Sequence, residues 1–166
     1  MSDAWDRLYT PHRLPYLRGQ TGAGEGCPFC EAPHDQNSEL NLVCTRGFHA
    51  YVVLNLYPYN SGHLLVCPYR HVADYTELTP SEVNDIARLT QEAMHTLRSI
   101  SNAQGFNIGM NQGAISGAGI AAHLHQHVVP RWGGDTNFMP IIGGTKVLPQ
   151  LLSDTRQLLE ENWQSN

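Results

Sequence analysis

The stretch "AAHLHQHVVPRW", residues 121–132, carries a histidine at every second position: His123, His125 and His127. Its valines and closing proline predict a β-strand. Because side chains alternate across a strand, the three imidazoles are expected on one face, spaced ~6.5–7 Å apart. Single strand histidines usually serve packing or surface roles, but three in register indicate a working site.

Two chemistries suit three aligned imidazoles, and the residues alone leave both open. One is metal binding. The other is attack on phosphorus by a neutral imidazole, with a neighbouring group stabilising the charge that develops on the phosphate oxygens. The preceding stretch "NQGAISGAG", residues 111–119, favours the second, because its small side chains leave backbone amides accessible to a phosphate.

The flanking segments predict an α+β domain with an antiparallel sheet, one long helix and a C-terminal helix. "HAYVVLNLYP" indicates a strand over residues 49–57, "YNSG" a turn, and "HLLVCP" the next antiparallel strand. "GFNIGMN", residues 105–111, indicates a further strand, and "LPQLLSDTRQLLEENW" the C-terminal helix.

The long helix is predicted from "LTPSEVNDIARLTQEAMHTLRSIS", residues 78–101. Thr79 can cap its N-terminus, Pro80 suits the first turn, and Glu82 completes a capping box. A stripe of helical period is then expected to face the core, consisting of Val83, Ile86, Ala87, Thr90, Met94 and Leu97.

The composition restricts the partners and the location. The chain has 166 residues, 41% of them apolar, which suits one globular core, and its formal charge is −5 with no long basic run. A nucleic-acid polymer is therefore not expected as a partner, whereas a small phosphorylated ligand is compatible. No signal peptide or membrane span is indicated, so the cytoplasm is the expected location.

A cysteine pair stands before the first predicted strand. "CPFC" places Cys27 and Cys30 at the spacing of a zinc half-site. A redox motif or two unrelated thiols are the alternatives, but the preceding glycines do not supply the strand that a thioredoxin-like motif follows. We expect an N-terminal arm with these cysteines over residues 1–39 and a catalytic domain over residues 40–166.

Taken together, these motifs resemble the histidine triad family of nucleotide hydrolases and transferases. "HLHQHVVPR" is similar to its His-x-His-x-His signature, "LNLYPYNSGHLLVCPYRHV" to its strand–turn–strand unit, and "GFNIGMNQGAISGAG" to the strand and loop before the triad. The resemblance covers roughly residues 40–135. "PRWGGDTNFMPIIGGTKVLPQLL" further resembles the tail of the actinobacterial diadenosine tetraphosphate phosphorylase branch.

The resemblance implies a role for each matching residue. His125 corresponds to the nucleophile that attacks the α-phosphorus and forms a nucleotidyl-histidine, and His127 to the histidine that bonds phosphate oxygens. The implied nucleotide-binding residues are Asn55, Asn111, Gly117 and Gly119. Gly119 departs from the family pattern, because many relatives carry Ser or Gln there, so a donor on the leaving-group side is missing.

The resemblance also implies a structural zinc, since some family members hold one with two N-terminal cysteines, a histidine after the second strand and the first histidine of the triad. The matching residues here are Cys27, Cys30, His71 and His123, with His34 and Cys44 as rival ligands. Four protein ligands leave no open position for water, so the zinc is expected to be structural.

The resemblance therefore implies an enzyme that cleaves a nucleoside phosphoanhydride, in the first instance, from the branch-like tail, a diadenosine tetraphosphate phosphorylase releasing ADP and ATP, with inorganic phosphate as the acceptor. Alternatives are a dinucleoside polyphosphate hydrolase, a phosphoramidase acting on AMP-linked amines, and a nucleotide-binding module without catalysis. Family members usually pair, so a homodimer is the expected assembly.

Overall fold

A computed structural model describes residues 26–35, 41–135 and 150–165. The strands are β1 (Val43–Arg46), β2 (Ala50–Leu54), β3 (Leu64–Pro68), β4 (Gly105–Met110) and β5 (Gln126–Arg131). The helices are α1 (Pro28–Glu31), α2 (Pro80–Ser101) and α3 (Leu152–Glu161). The strands form one antiparallel sheet in the order β1-β2-β3-β5-β4, which confirms the predicted α+β class.

The two faces of the sheet have different partners. One face packs against α2 and the C-terminal helix through a core that includes Val52, Val66, Leu89, Val128 and Leu159. The other face presents a smaller apolar cluster containing Tyr51 and Leu65, against which Phe29 of the short α1 packs. This second face is the one that carries the candidate site.

The start of α2 confirms the predicted capping box. The Thr79 hydroxyl accepts a hydrogen bond from the Glu82 amide, and the Glu82 carboxylate accepts one from the Thr79 amide. The predicted inward stripe is only partly right, because Ala87 is exposed and Val83 is half-buried. Leu89 and Ala93 are fully buried in their place.

Asp85 is a buried carboxylate on α2 that fastens the turn between β1 and β2. Its Oδ2 accepts hydrogen bonds from the backbone amides of His49 at 2.7 Å and Ala50 at 3.0 Å, and its Oδ1 accepts one from Arg88 at 2.6 Å. The carboxylate therefore links α2 to the β1–β2 pair, which lies at one edge of the sheet.

Asp85→Ala is expected to lower the free energy of unfolding by about 2–3 kcal/mol, because it leaves two backbone amides without their acceptor and removes one of the two carboxylates that Arg88 contacts. Urea unfolding measures the change, and Asn84→Ala, at an exposed position of the same helix, is the control. Equal stabilities of the two variants would contradict the anchoring role.

Several element boundaries differ from the predictions. β2 ends at Leu54 rather than at residue 57, because the Asn55 side chain accepts a hydrogen bond from the Tyr57 amide and starts the turn. β5 begins at Gln126, so His123 and His125 lie in the segment just before the strand. Leu124 in that segment donates its amide to Val72 instead of continuing the ladder.

The predicted boundary between arm and domain at residues 39 and 40 lies outside the described residues, as do residues 1–25 and most of the predicted branch-like tail, residues 136–149. Within the described ranges, no helix combines the length and apolar character needed to cross a membrane.

Candidate active site and metal centre

A cavity of about 320 Å3 opens on the face of the sheet opposite α2. It has an apolar end formed by residues such as Phe29, Leu42 and Val53, and a polar end formed by residues of the histidine segment and the glycine-rich loop. The six residues predicted for catalysis and nucleotide binding all line it: Asn55, Asn111, Gly117, Gly119, His125 and His127. His123 is directed to a different cluster.

The backbone fixes the tautomer of His125. Its Nδ1 lies 2.9 Å from the carbonyl oxygen of His123. Because a carbonyl can only accept, Nδ1 carries the proton and Nε2 keeps a lone pair. Burial lowers the pKa of His125 below its usual value, although the bond to the His123 carbonyl opposes the shift. The ring is thus a neutral imidazole with a nucleophilic nitrogen in the cavity wall.

A chain of hydrogen bonds gives His127 the opposite tautomer. The Tyr59 amide donates to His63 Nδ1 at 3.0 Å, and Asn55 Nδ2 donates to the same nitrogen at 3.2 Å. The proton of neutral His63 must then be on Nε2, which donates to His127 Nδ1 at 2.9 Å. Neutral His127 consequently carries its proton on Nε2, where it can donate to a phosphate oxygen.

His63 was not among the predicted site residues, but its bond to His127 allows it to orient that ring. His63→Leu removes the donor, so His127 can adopt the tautomer whose Nε2 lone pair repels phosphate. We expect kcat to fall about 10–100-fold with a smaller change in KM. His95→Leu, at an exposed position of α2, is the control, and an unchanged kcat in His63→Leu would exclude the relay.

The glycine-rich loop forms the rim at the polar end of the cavity. A single 3-10 turn, Ala114–Ser116, is followed by Gly117 with φ +82°, a left-handed conformation that favours glycine. A Cβ on Gly117 would meet no atom within 4 Å, so space is open around this backbone. Gly119 and Asn111 stand beside it in the cavity wall, but no side-chain donor is supplied at position 119 itself.

A second cluster brings together the four residues predicted as metal ligands: Cys27, Cys30, His71 and His123. Their ligand atoms all lie within 4.8 Å of one another. The Nδ1 atom of His123 is 3.4 Å from Cys27 Sγ and 3.5 Å from Cys30 Sγ, and His71 Nδ1 is 3.3 Å from Cys30 Sγ. The rival ligands His34 and Cys44 are not members of the cluster.

The pairing of β3 with β5 explains how two of these ligands meet. Val66 lies opposite Gln126, and continuing this antiparallel register brings the residues after β3 beside those before β5. His71 follows β3 and His123 precedes β5, and the Leu124–Val72 bond holds the two segments together at 2.7 Å. The thiols of Cys27 and Cys30 are supplied by the segment that contains α1.

The donor set and spacing fit a tetrahedral metal ion. Zinc at about 2.3 Å from a thiolate and about 2.05 Å from an imidazole places sulfur and nitrogen about 3.5 Å apart in a tetrahedron. His123 Nε2 lies 2.9 Å from the Pro68 carbonyl and must donate to it, which leaves Nδ1 as the metal-facing lone pair. Burial also lowers the pKa of His123, which favours the neutral ring that a ligand requires.

Comparisons with known proteins agree with this arrangement. The HIT domain profile matches residues 41–134. The AP-4-A phosphorylase of Mycobacterium tuberculosis is 48% identical over 168 residues, covering 97% of this chain and 86% of that protein. The asymmetrical bis(5'-nucleosyl)-tetraphosphatase of Schizosaccharomyces pombe is 35% identical over 78 residues, covering 47% of this chain and 42% of that protein.

The fold is similarly matched by a solved structure, a zinc-bound histidine triad family protein from Mycobacterium smegmatis. Its TM-score is 0.66 at 26% identity, and the match covers 82% of this chain and 92% of that one. The domain match over more than half of the chain, together with the near full-length relative, shows that this chain belongs to the HIT family.

Proposed function

We propose that the chain is a nucleotidyltransferase that cleaves diadenosine tetraphosphate with phosphate, giving ADP and ATP. The observation that carries the proposal is the different bonding of Nδ1 in two adjacent histidines, whose ring centroids are 5.0 Å apart, because this difference assigns them opposite tautomers. His125 offers a lone pair to phosphorus, and His127 offers a proton to the oxygens around it. The similarity to AP-4-A phosphorylase over 97% of the chain supports the choice of substrate.

The reaction is proposed in two displacements. His125 Nε2 attacks the α-phosphorus, a P–N bond forms, the P–O bond to the β-phosphate breaks, and ATP leaves. An oxygen of inorganic phosphate then attacks the same phosphorus, the P–N bond breaks, and ADP is released with the imidazole restored. His127 and the amides of the loop that contains Gly117 would stabilise the equatorial oxygens in both steps.

The size of the cavity supports binding of one half of the substrate. About 320 Å3 is at the lower end of the range of ligand pockets, about 300–1,000 Å3, and suits a single nucleoside monophosphate. Asn55 and Asn111 are proposed to contact its ribose or phosphate. The second nucleoside and the remaining phosphates would extend beyond the Gly119 side of the cavity.

A hydrolase is the second candidate, and the S. pombe tetraphosphatase similarity favours it. Water would then replace phosphate in the second displacement and release AMP. The shorter coverage of that relative, 47% of this chain, makes it the weaker match. A phosphoramidase acting on AMP-linked amines would use the same nucleophile with a nitrogen leaving group.

We further propose that the metal is zinc, held by Cys27, Cys30, His71 and His123 in a structural site, and that the chain forms a homodimer. The thiolate–imidazole donor set is typical of zinc, and the M. smegmatis histidine triad protein is zinc-bound. Size-exclusion chromatography with light scattering tests the dimer.

Product analysis tests the proposed reaction. The protein is incubated with diadenosine tetraphosphate, with and without inorganic phosphate, and the nucleotides are separated. ADP plus ATP formed only with phosphate is the expected result. AMP plus ATP in both conditions would assign the hydrolase, and no turnover of this substrate or of an AMP-amidate would reject an enzymatic function.

A further inference from the structure

Phe29 links the metal cluster to the proposed nucleophile. It stands between Cys27 and Cys30 in the sequence, and its ring lies 4.8 Å from the ring of His125 and 5.6 Å, edge-on, from that of His123. The same ring forms part of the cavity wall. One side chain thus contacts a histidine of each site.

The segment that carries Phe29 has few stabilising interactions within itself. α1 has four residues, no side-chain cap at Cys27 and no buried residue. Tyr51, fully buried in the sheet, donates its hydroxyl to the Phe29 carbonyl at 2.7 Å. Both ends of the turn meet the imidazole cluster through sulfur, so a metal ion bound there would fix the turn at its two ends.

His125 itself is fixed at one point by the bond from Nδ1 to the His123 carbonyl. Any remaining rotation of the His125 ring about its Cβ–Cγ bond is limited by packing against neighbouring side chains. The His127 ring, 5.0 Å away at 70°, and the Phe29 ring, inclined at 46°, are two aromatic groups that restrict it. Removal of the Phe29 ring would release His125 on one side.

We infer that Phe29 is a positioning residue for His125, through which metal occupancy at Cys27 and Cys30 controls the aim of the nucleophile. The inference rests on the proposed function for its kinetic consequence. Because a misplacement of about 1 Å can reduce a rate about 100-fold, the loss of this contact should act mainly on kcat.

The test compares Phe29→Ala and the conservative Phe29→Leu in the zinc-loaded protein, with Phe48→Ala as the matched control, since Phe48 is 89% exposed on the β1–β2 turn. Phe29→Ala is expected to keep its zinc and to lose about 10–100-fold in kcat. Its affinity for AMP should fall less, and Phe29→Leu should recover part of the rate.

Removal of zinc provides the second arm of the experiment. Zinc-depleted wild-type protein should show the kcat of zinc-loaded Phe29→Ala, and depletion of Phe29→Ala should add little, because both changes act through one contact. The rate at which diethyl pyrocarbonate modifies His125, mapped by mass spectrometry, provides a measurement that does not depend on turnover. This rate should rise several-fold in Phe29→Ala and in zinc-depleted wild type, but not in Phe48→Ala.

Three results would overturn the inference: a wild-type kcat in zinc-loaded Phe29→Ala, additive losses from the variant and from depletion, or unchanged reactivity of His125. If wild-type protein turns over no nucleotide, the proposed function fails. The reactivity of His125 and its response to zinc then still decide whether Phe29 positions the ring.

Discussion

His125→Ala is expected to abolish nucleotide turnover, with a fall in kcat of at least about 1,000-fold. In the proposed reaction, the Nε2 lone pair of His125 forms the covalent intermediate. Neutral His127 carries its proton on Nε2, so this nitrogen cannot supply a replacement lone pair. Binding of AMP should remain within a few-fold of wild type, because the other residues that line the cavity are retained.

The control is His49→Ala, at an exposed position outside the cavity wall. A second variant, His125→Gly, leaves space in which added imidazole can act as the nucleophile, so partial recovery of product formation with imidazole is expected. Rapid quenching of wild-type protein with labelled substrate should trap nucleotide on His125. Full activity of His125→Ala would refute the nucleophile assignment.

The parts of the fold that follow from local chemistry were predictable. Thr79, Pro80 and Glu82 specify the start of α2 within four residues, and the structure has both capping-box bonds. The antiparallel pairing of β2 with β3 is encoded by two short apolar runs and the turn between them. These signals do not depend on the rest of the chain.

The inward face of α2 was only partly predicted: the apolar Leu89 and Ala93 were missed, and so were buried polar residues such as Glu92 and Thr96. Thr90 accepts a hydrogen bond from Gln126 of β5, Glu92 accepts one from the Trp163 indole, and Thr96 accepts one from the Gln164 amide. Thr90 was correctly predicted to face inward, whereas a hydrophobicity pattern assigns Glu92 and Thr96 to solvent. The partners that satisfy them are 36 to 71 residues away and cannot be inferred from the helix alone.

The candidate site, like the fold, was predictable only where the signal lies in the local sequence. The histidine pattern pointed to His125 and His127, which both line the cavity, but the contact of His63 depends on a partner 64 residues away across the β3–β5 pair. The pattern also suggested three equivalent imidazoles on one strand. The structure separates them, because β5 begins only at Gln126 and His123 turns to the thiols of Cys27 and Cys30.

Freshly purified protein is expected to contain about one zinc ion per chain, and Cys30→Ser or His71→Ala should remove most of it. Each variant deletes one of four ligands from a site that otherwise matches a tetrahedron, so zinc affinity should fall at least about 100-fold. Elemental analysis after dialysis against a weak chelator measures the loss. Cys44→Ala is the matched control, because Cys44 is a buried thiol of β1 outside the cluster.

Loss of zinc should affect the segment around α1 before it affects the rest of the domain. α1 has no buried residue, whereas the sheet and α2 share a continuous apolar core. Chelation should therefore expose residues 26–35 to proteolysis while the far-ultraviolet circular dichroism of the remaining domain is retained. Absence of zinc from the fresh protein, or equal zinc loss in Cys44→Ala, would overturn the four-ligand assignment. Cooperative unfolding of the whole domain on chelation would instead mean that the Cys27–Cys30 turn supports the sheet as well as the site.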